Sequence, residues 1–506
     1  MNSSRNLQLL PATAAVATAL TAWGVYTYLT YDPRWWWKKR QNSLTFNEVS
    51  QQPQWEQELI HGKVEPGWEP VYEEFLQNFR ARGDLGAAVC IYYQGKKVVD
   101  LWGGYQDPKN PIPWKEDTMV PIFSTSKGIS AFAIWMLESW DKIQLDEKVC
   151  SYWPEFAQNG KENVTVAQLI DHSVGLAGIT PPITLKMLQD PDSKRILKDH
   201  LAKAKMEWAN ASDYKGYMAV ILGFYESILV QICDFSQRSI GQFLLEEAFQ
   251  PLGIENEIYI RLPKSVPDNR IAKLDAMVGL ENLWPTGSFP EDFWSKLLLR
   301  PNSYTGRAFR NPRLSSSPGC MDYDRREVQE LEMPASGGVA TARAIAKMYN
   351  AAERVIQNKD NDNPLKLSPK ALDRCLQPAT PGRKNGWIDE VLGIECCMGA
   401  GVLLAAPNGC SSGRFFSTPS GFGTPGAGGS FGYCDPKAEV SYAYVMNRCG
   451  QCVDDPREFA LRSKMYEVVQ KFRKTNGEPL LNLEELNVPH YLTKVYMDAH
   501  PELAPL

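Results

Sequence analysis

Apolar positions along this chain repeat with two periods, one extended and one helical. Residues 87–93 form a near-continuous apolar run, Ala87-Ala88-Val89-Cys90-Ile91-Tyr92-Tyr93. Gln94-Gly95 follows, then 96–102 with Val98, Val99 and Leu101, and the two runs read as a hairpin. A Pro-rich loop comes next, through Pro108, Pro111 and Pro113. Over 124–140, Ile129, Phe132, Ala133, Met136 and Leu137 recur at helical spacing, which predicts the clearest helix of the chain. Helices are also predicted over 68–82 and 340–355. Near the C-terminal end, 430–434 and 439–446 bracket Asp435-Pro436-Lys437-Ala438 as a second hairpin, and 456–472 reads as a closing helix. Residues 141–390 mix helices with long Pro/Gly loops. Strands near both chain ends with helices between them predict an α+β fold. One antiparallel sheet is built from both ends and flanked by helices, with an inserted, mainly helical region. The 506 residues permit several domains. A sheet shared between the ends makes a single main domain over 46–475 the economical reading, followed by a polar tail over 476–506.

The N-terminus follows neither pattern. No charged residue occurs from Asn6 to Tyr31, which is long enough to span a bilayer needing about 20 residues. Trp35, Trp36 and Trp37 follow, then Lys38, Lys39 and Arg40, as at a membrane boundary. Residues 1–45 are therefore expected to be a single-pass membrane anchor and its flank. A cleaved signal peptide fits less well, because the apolar stretch is long and only Arg5 precedes it. Cations are heavier on the C-terminal flank, which puts the main domain in the cytosol by the positive-inside rule. Eleven cysteines spread along so long a chain read as reduced thiols and agree with that side. Asn163-Val164-Thr165 and Asn210-Ala211-Ser212 fit glycosylation sequons but are discounted as chance matches. A net charge of −5 leaves no basic excess to attract nucleic acid.

Candidate chemistry centres on Ser124-Thr125-Ser126-Lys127, an S-x-x-K pattern. Positions i and i+3 share a helix face, so the lysine amine can reach the serine hydroxyl. A serine at a helix N-terminus sits at the positive end of the dipole, which favours developing negative charge. The lysine must be partly desolvated to lose its proton near neutral pH. Ser139 with Lys142 and Ser212 with Lys215 also fit the pattern, but only Ser124 opens a long helix after a Pro-rich loop. The plain alternative is that Ser124 merely caps the helix. Gly428-Gly429-Ser430-Phe431-Gly432 matches a nucleophile elbow, yet Ser430 begins a strand where the elbow needs a helix. Cys449-Gly450-Gln451-Cys452 lacks a second pair at zinc spacing and reads as incidental; a thiol-redox role is the outlying alternative.

Ile122-Phe123-Ser124-Thr125-Ser126-Lys127-Gly128 resembles the active-site segment of the serine beta-lactamase-related family, which includes class C beta-lactamases, penicillin-binding proteins and family VIII carboxylesterases. The similarity continues in Gly86-Ala87-Ala88-Val89, Val98 to Gly104, His172-Ser173-Val174-Gly175-Leu176 and Pro334-Ala335-Ser336-Gly337-Gly338. It implies a beta-lactamase/transpeptidase-like fold with Ser124 as nucleophile and Lys127 as base. The family's tyrosine motif matches Tyr217-Met218-Ala219 best, by its spacing to Gly223-Phe224, with Tyr214 as the fallback. The asparagine usual in that motif is replaced here by Ala219, which argues against beta-lactam turnover. Phe422-Gly423-Thr424-Pro425-Gly426-Ala427 occupies the place of the Lys-Thr-Gly motif, with Thr424 where a cation or aromatic is usual. By resemblance, the Ser124 and Ala427 amides form an oxyanion hole, with Gly426 and Thr424 beside the substrate. His172 reads as a loop-shaping residue of its motif rather than a base. No metal or organic cofactor is implied, and the substrate class is a small ester or amide. The alternative from another class is a catalytically inactive, membrane-tethered scaffold with the same fold.

Overall fold

The computed structural model describes residues 59–275, 293–315, 320–359, 363–405, 416, 418–450 and 455–481. The expected anchor, most of the polar tail and Cys452 lie outside the described residues. Among the described residues, no helix is long and apolar enough to cross a membrane.

The chain enters through a short strand, β1 (Ile60–Val64), and a helix, α1 (Glu69–Arg80). Pro70 in its first turn suits the helix start, and Val71, Phe75 and Phe79 recur at i, i+4 and i+8 to form its buried face. The hairpin follows as β2 (Gly86–Tyr93) and β3 (Lys96–Gly104). Gln94 and Gly95 both take positive φ, 53° and 79°, the tight turn that matches strand twist. The central helix is α2 (Thr125–Ser139), and further along come α3 (Leu222–Cys233) and α4 (Ala342–Ile356). The C-terminal end supplies β4 (Phe422–Pro425), β5 (Phe431–Asp435), β6 (Val440–Met446) and α5 (Pro456–Asn476). The last helix runs beyond the expected 472 and stops at Gly477 in the left-handed conformation, φ 68°.

The two chain ends meet in one antiparallel sheet of order β1-β3-β2-β6-β5-β4, with Leu403–Leu404 beyond β4. The seam pairs β6 with β2 in the middle, from Val440 opposite Tyr93 to Met446 opposite Ala87. Both central strands are buried along their whole length, which explains why neither alternates in polarity. Helix α4 covers one face, packing on β2, β5 and β6. Helices α1 and α5 pack on each other, and tyrosine hydrogen bonds tie α5 to the strands. Tyr442 reaches the Glu458 carbonyl and Tyr466 donates to Asp435. A buried ion pair fixes α5 at its start: Arg457 contacts Asp84 at 2.8 Å and Asp455 at 2.7 Å. Removing one partner of such a buried pair costs about 3–5 kcal/mol.

A second sheet, unforeseen in the sequence, has only two residues per strand. Val339–Ala340 lies between Val120–Pro121 and Ile258–Tyr259. It pins the residues just before Ser124. Helix α2 also departs from the expected one-faced pattern, because every residue from Thr125 to Glu138 is buried. A helix apolar on all sides belongs in the centre of a large domain, and this one carries Lys127 into that centre.

Candidate active site

The segment leading into α2 is held tightly on both sides. The Ile122 amide donates to the Gly338 carbonyl at 2.9 Å, and the Ile122 carbonyl accepts Ser430 Oγ at 2.9 Å. Ser126 Oγ accepts the Gly338 amide, also at 2.9 Å. Phe123, between these ties, has φ 47°, a left-handed conformation that costs a bulky residue about 1–3 kcal/mol. That turn brings Ser124 to the position just before α2.

Ser124 does not behave as an ordinary cap. Its side chain accepts no helix amide, whereas a capping serine normally bonds the amide two or three residues on. Its hydroxyl lies instead 3.2 Å from Lys127 Nζ and accepts the Tyr217 hydroxyl at 2.9 Å. Ser124 is half-buried and Lys127 is fully buried. Two main-chain carbonyls hold the lysine, Ala219 at 2.5 Å and Ala335 at 2.9 Å. Its amine also stands 4.7 Å from the centre of the Tyr217 ring. Burial pushes the Lys127 amine down to about 7, with Glu226 acting the other way. Burial drives the Tyr217 phenol upward, with the bond to Ser124 acting the other way. The phenol is therefore a neutral donor at neutral pH, and the amine is the group poised to exchange a proton.

Tyr217 has its own supports. The His172 ring lies 5.0 Å away, and His172 Nδ1 accepts the Met218 amide at 3.0 Å. Burial, helped by Lys127 and Lys215, keeps His172 well below its usual range. It is a neutral residue that shapes this loop. Asp389 also accepts the Tyr217 amide, and burial pushes its carboxyl up to about 6. Tyr214, the fallback, lies elsewhere: its ring packs on Trp208 at 5.7 Å and under Lys384 at 5.3 Å. Phe309, 6.4 Å from Tyr217, adds an aromatic wall.

Across from α2, β4 leads into Gly426 and Ala427. A Cβ on Gly426 would stand 2.2 Å from Ser430 Oγ and 2.4 Å from the Ile122 carbonyl. Only glycine permits the backbone to come so close to the Ser124 segment. Ala427 follows, exposed, before Gly428 and Gly429 with φ 85° and 111°. Thr424 is buried, its hydroxyl facing Tyr349 over Gly128. Ser430 is fully buried and bonded to Ile122 and Thr125, so it is a strut between β5 and α2 and has no free hydroxyl.

An amine, a phenol and a hydroxyl within hydrogen-bond reach, on a strained turn at a helix start, form the constellation of a serine hydrolase. Residues 74–464 match the family described as Beta-lactamase, and the chain belongs to that family, on a beta-lactamase/transpeptidase-like fold. With its esterase relatives, this membership gives serine hydrolase activity as the class. The chain is 28% identical over 397 residues to the esterase/beta-lactamase LipL of Mycobacterium tuberculosis, covering 77% of this chain and 83% of that one. Among solved structures it is similar to a family VIII carboxylesterase, with TM-score 0.68 and 27% identity, covering 81% of this chain and 99% of the other. It is also similar to a penicillin-binding protein homologue from Caulobacter crescentus, with TM-score 0.66 and 30% identity over the same shares.

The sequence reading missed four contributors to the site. The carbonyls of Ala219 and Ala335 are main-chain atoms, which no side-chain pattern announces. Asp389 lies far along the chain in a loop. Glu226 did leave a signal, a lone acid within the apolar run of α3.

Proposed function

We propose that this protein hydrolyses small, uncharged esters or amides through an acyl-enzyme on Ser124, with Lys127 as base and Tyr217 as proton donor. The observation that carries the reading is the way Lys127 is held. A neutral amine has two N–H bonds and one lone pair. The carbonyls of Ala219 and Ala335 accept the two N–H bonds, so the lone pair is left for the Ser124 hydroxyl at 3.2 Å. As Ser124 Oγ bonds to the substrate carbonyl carbon, its proton passes to Lys127 Nζ. The carbonyl oxygen takes the charge, beside the amides of Ser124 and Ala427. Tyr217 gives its proton to the leaving oxygen or nitrogen and regains one from Lys127. Water then attacks the acyl group and the same transfers run in reverse, restoring Ser124. Thr424, expected beside the substrate, turns its buried hydroxyl toward Tyr349 instead, so its position brings no charge to pair with a substrate carboxylate, which favours neutral substrates. The esterase relatives support an ester as the first choice.

The test is hydrolysis of p-nitrophenyl butyrate by the wild type and Ser124→Ala. The variant is expected to lose about 10³-fold or more in kcat/KM while keeping its melting temperature. Retained activity would refute the reading. The apolar segment before residue 45 supports a membrane tether with the domain on the cytosolic side. Carbonate-resistant association of the full chain with membranes is the expected result, and extraction by carbonate would refute it.

A further inference from the structure

Helix α3 contains one acid, Glu226, and it is fully buried. Among the described residues, neither of its carboxyl oxygens has a hydrogen-bond partner. An unpaired buried carboxyl costs several kcal/mol to carry as an ion, so its environment matters. The side chain reaches across toward α2. A Cβ on Gly401 would stand 2.8 Å from the Ala131 Cβ and 3.4 Å from Glu226 Oε1, so the carboxyl lies under Gly401, next to Ala131. Ala131 follows Lys127 by four residues, on the same face of α2.

Lys127 is the charged group that acts on Glu226, and Glu226 is the charged group that acts on Lys127. Several other ionisable groups of the neighbouring elements are engaged elsewhere or face solvent. Glu138 of α2 pairs with Arg374 at 2.7 Å, and Tyr225 of α3 donates to the Leu201 carbonyl. The helix Ser193–Ala202 keeps Lys194 and Arg195 exposed, and the helix Ile240–Leu244 has no charged residue. On its other side, among the described residues, Lys127 has the neutral His172 and Tyr217 as neighbours.

We propose that Glu226 is a positioning residue for the base: its buried carboxylate is the counter-charge that favours the ammonium Lys127 becomes when it takes the Ser124 proton. Glu226 makes and breaks no bond to substrate. The inference rests on the reading of Ser124 and Lys127 given above. It also gives a direction with pH. Burial pushes the Glu226 carboxyl up to about 8, against the pull of Lys127. Below that pH the group is a neutral carboxyl, and glutamine imitates it closely. Above that pH the wild type has a negative charge beside Lys127 and the variant has none.

The test is the rate at which a fluorophosphonate probe labels the full chain, measured from pH 6 to pH 9.5 for wild type and Glu226→Gln. The two rates are expected to agree within about threefold at pH 6.5, with the variant at least about tenfold slower at pH 9. A merely structural role would lower the variant's rate by one factor at every pH, and that result overturns the inference. Equal rates at pH 9 also overturn it. Glu226→Leu removes the same charge and serves if the glutamine variant does not fold. Its rate relative to wild type must likewise fall as pH rises. Ser124→Ala, run alongside, separates the two claims. If it is still labelled, the Ser124 reading fails. If it is unlabelled while the ratio stays flat, only the Glu226 inference fails.

Discussion

Replacing Tyr217 by Phe removes one oxygen and leaves the ring where it is. The ring packs against His172 at 5.0 Å and Phe309 at 6.4 Å, contacts that phenylalanine keeps. The hydroxyl is assigned two tasks, and they can be separated by choice of leaving group. The first is the 2.9 Å hydrogen bond to Ser124 Oγ. A neutral hydrogen bond of this kind is worth about 0.5–1.5 kcal/mol, so its loss costs up to about tenfold. The second is protonation of the leaving group, which contributes about 10²–10⁴-fold when that group is a poor one. A nitrophenolate leaves without a proton, whereas an alkoxide does not. Tyr217→Phe is therefore expected to lower kcat/KM about tenfold or less on p-nitrophenyl butyrate, but by about 10²–10⁴-fold on ethyl butyrate. Parallel measurement by absorbance and by pH-stat titration reads the two rates. Thermal melting should change by less than about 1 kcal/mol of stability. Tyr214→Phe, with its ring against Trp208, should alter neither rate more than about threefold. An equal fall on both esters would refute the assignment of Tyr217 as the acid.

Other expectations follow from the same geometry. The proposed mechanism uses Lys127 as the free amine, and burial pushes that amine down to about 7, so kcat/KM should fall about tenfold for each pH unit below that value. Protonation at low pH removes the base, so the loss lies on the acidic side; a rate independent of pH between 5 and 7 would contradict it. Lys127→Arg keeps its proton at any working pH, so ester hydrolysis should drop about 10²–10⁴-fold with the chain still folded, as read by circular dichroism. Gly426→Ala places a methyl 2.2 Å from Ser430 Oγ and 2.4 Å from the Ile122 carbonyl. It should destabilise by about 1–3 kcal/mol in urea unfolding and weaken acylation as well, because it pushes on the Ser124 segment.

Much of the fold was readable because strong periodicities survive in the interior. The hairpin of β2 and β3, the hairpin of β5 and β6, and helices α1, α2, α4 and α5 all occur where the apolar patterns put them. β1 escaped notice for a physical reason. It is an edge strand whose His61, Gly62 and Lys63 are exposed, so it shows no apolar alternation. The small sheet escaped because its two-residue strands are too short to carry a period. At the site, S-x-x-K named Ser124 and Lys127, and the spacing to Gly223-Phe224 chose Tyr217 over Tyr214. What held these groups stayed hidden. The clamps on Lys127 are backbone carbonyls, 92 and 208 residues away in sequence. The hydrogen bond from Met218 to His172 likewise depends on the folded chain and not on any local pattern.

Mass mapping of the covalent adduct tests the central claim most directly. The protein is incubated with a fluorophosphonate, digested, and the modified peptide sequenced by tandem mass spectrometry. One phosphonyl group on Ser124, absent in Ser124→Ala and much slower to form in Lys127→Arg, is the result expected of a lysine-activated serine. Modification at another residue, or no adduct in folded wild-type protein, would contradict it.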